Sequence, residues 1–132
     1  MNRVQKVEFG TSWEMELMPR CMTAVGEDLK KTTNKYDTMD FEGESCYVEL
    51  KVRTKQYWPC QFANWLMPYC KIQRAKEEKK KVFFFYYWIS TKQMFAIQYD
   101  EKLFDSFTVD VPEWKDDKQL QIYIPRELWK EI

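Results

Sequence analysis

Residues Tyr36 to Arg53 read YDTMDFEGESCYVELKVR, and the fold depends on how this stretch turns back on itself. From Cys46 to Thr54 the side chains alternate, Val48, Leu50 and Val52 on one side, Tyr47, Glu49, Lys51 and Arg53 on the other. Successive residues of a strand point to opposite faces, so this is a strand with an apolar face for a helix and a charged face opposite it. Lys35–Phe41 reads as the preceding strand, with Gly43 centring the turn. Parity across that turn decides which acid meets Glu49. An even loop over Glu42–Ser45 sets Phe41 opposite Cys46 and Asp40 opposite Tyr47. Asp40 then shares a face with Glu49 and Lys51, with Glu49 a diagonal neighbour about 7–8 Å away. An odd loop gives that place to Asp37. The even register is taken forward, with Asp37 as its alternative.

Upstream, Trp13, Leu17, Cys21, Ala24/Val25 and Leu29 recur at helical spacing, which predicts a helix over 12–31 capped by Thr11 or Ser12. Pro19 either kinks that helix or restarts it. Downstream, Tyr57-Trp58-Pro59 ends the charged strand, and Gln61–Cys70 reads as a short helix or compact loop. The run KIQRAKEEKKK over residues 71–81 is a solvated loop or helix end, or else a phosphate-contacting edge. Val82–Ile89 is apolar throughout and reads as a strand buried on both faces, with Met94–Tyr99 its antiparallel partner. Asp100–Asp105 reads as loop, Phe107–Val111 as a short strand, Gln119–Ile124 as an edge-like strand and Arg126–Lys130 as a terminal helical turn. This order predicts one domain over residues 1–132, α/β or α+β, with a mixed sheet flanked by helices.

Six Trp, eight Tyr and nine Phe promise an aromatic core, partly exposed as a binding surface. The formal net charge is zero, yet residues 51–81 hold nine basic and two acidic side chains between acidic ends. Such a middle sets up a local positive field suited to a polyanion. The chain has no His, which removes Ser-His-Asp and Cys-His chemistry. Catalysis is left to carboxylates, Lys, Tyr, Cys or a metal held by oxygens. Cys21, Cys46, Cys60 and Cys70 form no CxxC pair, and no N-terminal stretch resembles a signal peptide. The expectation is an intracellular protein with reduced thiols, and no apolar run is long enough to span a membrane.

A hard divalent cation such as Mg²⁺ takes oxygen ligands and keeps several waters. Asp40 and Glu49 supply two carboxylates, the Leu50 carbonyl offers a third oxygen, and Glu14 on the first helix could complete the set. Lys51 beside such a cation would orient or deprotonate a water and stabilise phosphoryl charge.

The arrangement resembles the PD-(D/E)XK nuclease superfamily, which has the restriction-endonuclease-like fold. The matching positions are Glu14 on a helix, Asp40 ending one strand, and Glu49-Leu50-Lys51 on the next. Asp40-Phe41, Tyr47 to Arg53, Tyr57-Trp58-Pro59, Lys71-Ile72 and Tyr123-Ile124-Pro125 look like small single-domain members from tailed phages and large DNA viruses. Met39 departs from the family, which often has Pro there, and Glu8 and Glu16 stand near enough to compete with Glu14. The resemblance implies a Mg²⁺-dependent DNA endonuclease, with Mn²⁺ substituting and RNA a further possible substrate. Arg53, Tyr57, Gln61, Lys71 and Arg74 are the candidate nucleic-acid contacts. A homodimer or a partner protein would supply recognition. The alternative is a non-catalytic nucleic-acid-binding or assembly protein on the same fold.

Overall fold

The computed structural model describes residues 2–32, 39–114 and 118–132. Asp37 and Asn34 lie outside the described residues, as does most of the strand expected over Lys35–Phe41.

Helix α1 spans Arg3–Val25, so it starts nine residues before the predicted 12–31 helix and ends six before it. Its true cap is Asn2, whose side chain accepts the Gln5 N–H at 2.9 Å while the Gln5 side chain accepts the Asn2 N–H at 3.0 Å. This reciprocal pairing closes two of the donors that a helix start leaves open. Thr11 and Ser12 are therefore interior helix positions. Pro19 is inside the helix, which continues through it. Gly26, at φ 78°, closes the C-terminus in the left-handed region that glycine enters without a Cβ penalty. Leu29, expected on the helix, belongs instead to strand β1, Leu29–Lys31.

Strands β2 (Phe41–Gly43) and β3 (Cys46–Arg53) form the expected hairpin in a shifted register. Phe41 pairs with Val48 and Glu42 with Tyr47, so the turn is the two residues Glu44-Ser45 and Gly43 belongs to the strand. The loop is even, as expected, but shorter than a closure over Glu42–Ser45. Gly43 is there for close approach: a Cβ would meet the Asp28 carbonyl oxygen at 3.1 Å and Glu27 Cδ at 3.0 Å.

After a 3-10 turn at Pro59–Gln61, residues Asn64–Pro68 form strand β4 where a helix or loop was expected. Helix α2 follows at Tyr69–Glu77, taking in most of the charge run. Its burial of Ile72 and Ala75 shows why: the run carries an apolar pair at helical spacing. Strands β5 (Lys81–Trp88) and β6 (Gln93–Gln98) match the expected antiparallel pair. A short helix α3, Glu101–Phe104, replaces the expected loop. The chain ends with β7 (Val109–Asp110), β8 (Gln121–Pro125), a 3-10 turn Arg126–Leu128 and β9 (Lys130–Glu131).

Two sheets result. The larger has the order β1-β2-β3-β5-β6-β9, the smaller β4-β8-β7. Strand β8 is central to its sheet, not an edge as its alternation had implied. Strand β3 pairs in parallel with β5 and antiparallel with β2, so the main sheet is mixed and the protein is α/β. The connection from β3 to β5 passes through β4 and α2, the long crossover that parallel strands require.

The β3–β5 register, with Lys51 beside Tyr86 and Arg53 beside Trp88, sorts the two faces. Val48, Leu50, Phe85 and Tyr87 pack with Leu17 and Cys21 of α1. Phe84, Tyr86 and Trp88 pack with Trp65, Ile72, Ile122 and Ile124 of β4, α2 and β8. Both faces of β5 are covered, which is why its sequence runs apolar without alternation. Glu49, Lys51 and Arg53 lie on the face turned to α2 and the small sheet.

Candidate metal and nucleic-acid site

The hairpin ladder stops just where the site begins. Phe41 pairs with Val48, and the Asp40 N–H also donates to the Val48 carbonyl at 3.0 Å. Two residues against one is the geometry of a β-bulge, which bends a strand and re-aims a side chain. Thr32 fixes the bend, its N–H donating to the Asp40 carbonyl at 3.1 Å and its hydroxyl to the Met39 carbonyl at 2.6 Å. Next to the bulge the Asp40 carboxylate accepts the Leu50 N–H at 2.8 Å. Within a strand, a residue's N–H and C=O point to the same side, so the Leu50 carbonyl faces Asp40 as well.

Glu49 is buried, with Oε2 3.2 Å from Lys71 Nζ and Oε1 without a hydrogen-bond partner. Burial raises its pKa well above the usual value, and the neighbouring Asp40 carboxylate adds to the rise against the opposing pull of Lys71. Glu14 reaches the same centre from α1. Its pKa is raised by burial and then by the Asp40 charge, while an ion pair with Lys31 acts the other way. Asp40 is thus the acid that both glutamates face. Among the described residues, no group of three acids or thiols is drawn together tightly enough to enclose a metal, and Lys31 and Lys71 each pair with one of the glutamates.

Lys51 is half-buried and lines a groove of about 520 Å³ that also takes in Glu14, Leu50, Arg53 and Tyr57. Arg53 lies over the Tyr57 ring at 4.5 Å. Gln61 is exposed and serves its own 3-10 turn, where its side-chain oxygen accepts the Trp58 N–H at 2.7 Å. Arg74 pairs with Glu78 at 2.5 Å and lies over the Tyr47 ring. The structure therefore gathers Glu14, Asp40, Glu49 and Leu50 at the bulge and places Lys51, Arg53 and Tyr57 along the groove. Gln61 and Arg74 are engaged elsewhere. Lys71, a candidate nucleic-acid contact from the sequence, pairs with Glu49 in the carboxylate centre. Its helix was hidden in a charge run, and only the Ile72/Ala75 spacing could have revealed it.

No protein-family model matches the chain, and no curated protein sequence matches it. Among solved structures, a nuclease from a fusselovirus has a similar fold, with a TM-score of 0.52 at 15% identity, covering 99% of this chain and 88% of that one. Among the described residues, no helix is long and apolar enough to cross a membrane.

Proposed function

We propose that the protein is a metal-dependent nuclease that hydrolyses DNA phosphodiester bonds, built on the plan of the PD-(D/E)XK superfamily. The observation that carries this reading is the pairing at the bulge. Asp40 is fixed by the Leu50 N–H beside a buried Glu49 whose Oε1 has no partner. A buried carboxylate oxygen left unpaired costs about 1–3 kcal/mol or more, which a cation would relieve. The donors are all hard oxygens, so they fit Mg²⁺ or Mn²⁺. Asp40, Glu49 and the Leu50 carbonyl would hold the ion, with Glu14 assisting from α1. Binding then requires Lys71 and Lys31 to yield the glutamates they hold.

Once bound, a divalent cation supplies a water of lowered pKa and positive charge for the phosphoryl oxygens. The protein's own part falls to Lys51, on the Glu49 face of β3 and open to the groove. Its ammonium orients the attacking water and stabilises charge on the phosphoryl group. Arg53 and Tyr57, further along the groove, offer a cation and a ring to the strand. The shared fold of the fusselovirus nuclease supports this reading.

The competing reading is a non-catalytic nucleic-acid-binding protein, favoured by the Lys31–Glu14 and Lys71–Glu49 pairs, which neutralise two acids without any metal. One experiment separates them. Purified protein is incubated with plasmid, single-stranded and branched DNA in Mg²⁺ or Mn²⁺. Metal-dependent cleavage that disappears in Asp40→Ala and Lys51→Ala supports the nuclease. Salt-dependent DNA binding without cleavage or metal affinity supports the alternative.

A further inference from the structure

Between the two sheets lies a cavity that hydrolysis at the bulge leaves unused. Its space for water-sized occupants is about 30 Å³. Lys51 and Arg53 of β3, Trp88 of β5, Trp65 of β4 and Gln121 of β8 contribute to its walls, with Trp114 also bordering it.

The unpaired polar atoms here are donors. Gln121 and Trp88 are each 1% exposed, yet Gln121 Nε2 and Trp88 Nε1 have no hydrogen-bond partner, and neither has Arg53 Nε. Natural proteins seldom leave buried donors unmet, so three such residues around one void suit an occupant that carries acceptors, water or a ligand edge. The walls are also aromatic. Trp65 and Trp88 meet edge to face with centroids 4.9 Å apart and together give the cavity an apolar side. Lys51 and Arg53 also line the groove that holds Glu14, so the cavity adjoins the proposed site of hydrolysis.

We propose that this cavity receives a nucleobase unstacked from the strand whose phosphate lies against Lys51. The base presents its carbonyl or ring-nitrogen edge to Gln121 and Trp88, with its ring against the aromatic side. The space as it stands holds only a few waters, so entry requires its walls to open beside the exposed Trp114. This inference rests on the nuclease reading and adds a substrate class to it. Strands whose bases leave the stack at low cost, such as single strands, flaps and mismatches, are favoured over continuous duplex.

The test uses the full chain in EDTA, so that cleavage plays no part. Side-chain N–H signals of Trp and Gln are followed by NMR during titration with thymidine 5′-monophosphate and, separately, deoxyribose 5-phosphate. Trp88→Phe and Gln121→Leu assign the two signals. The expected result is that the Trp88 and Gln121 signals move with the nucleotide and not with the sugar phosphate. Gln121→Leu should weaken nucleotide binding about tenfold, the value of one hydrogen bond, and Trp88→Phe should do so independently. Equal responses to both ligands would make the cavity an anion site and overturn the proposal. So would no response to either. Nucleotide binding in a protein that cleaves no DNA would instead remove the nuclease reading and leave the base cavity standing.

Discussion

Lys71 Nζ on α2 lies 3.2 Å from Glu49 Oε2 on β3, and the pair closes off the carboxylate centre with the protein's own cation. A charge-run lysine thus takes the position that a metal would contest. Replacing Lys71 with Met leaves Glu49 buried beside Asp40 with no counter-charge. Stability in metal-free buffer should drop by about 1–3 kcal/mol, the cost of leaving a buried polar group without its partner. Urea unfolding measures the loss, and Mg²⁺ should restore more stability to Lys71→Met than to the parent.

The same pair sets a pH dependence. Burial and Asp40 raise the folded pKa of Glu49 above its ordinary value of 4.5, and Glu14 moves the same way. Between the unfolded and folded values the native state binds more protons, so stability falls as pH rises through that window. Glu27 and Glu42 are shifted downward and act at lower pH, where they favour the fold above their depressed values. Metal-free melting temperature should therefore decline from about pH 5 toward neutrality. Glu49→Gln should flatten that decline, and saturating Mg²⁺ should reverse its sign. A decline unchanged in Glu49→Gln would assign it to other groups.

Gly43→Ala brings a Cβ to 3.1 Å from the Asp28 carbonyl oxygen, a backbone atom with little room to yield. The substitution should cost about 1–3 kcal/mol, as other overpacked positions do. Chemical denaturation that shows no loss would mean β1 and β2 are not apposed as described.

Pro19 is exposed within α1 and removes one helical N–H. Pro19→Ala restores that donor and should stabilise the fold by about 1–3 kcal/mol, since proline inside a helix costs about 3 kcal/mol against alanine. Thermal unfolding reads the gain, which fails to appear if neighbouring packing already favours the proline.

What the sequence made legible follows from periodicity. The alternation of Val48, Leu50 and Val52 marks β3 because one of its faces is charged, and VFFFYYWI marks β5 because both of its faces are covered. Parity sets Asp40 at the end of its strand, but the bulge beside it is braced by Thr32, eight residues away in sequence and beyond any pattern argument. The start of α1 was missed because the Asn2–Gln5 cap lies within a polar lead-in. Strand β4 was missed because NWLMP is too short to separate helix from strand, and the tryptophans and Gln121 of the cavity meet only when two sheets face each other.

In the proposed site Asp40 and Glu49 share a divalent cation. Crystals soaked in Mn²⁺ and measured for anomalous scattering test it most directly. The expected result is a peak within coordinating distance of both carboxylates and the Leu50 carbonyl, with Lys71 displaced from Glu49. A well-occupied peak elsewhere, or none while the Lys71–Glu49 pair stays intact, would rule out a shared cation at this site.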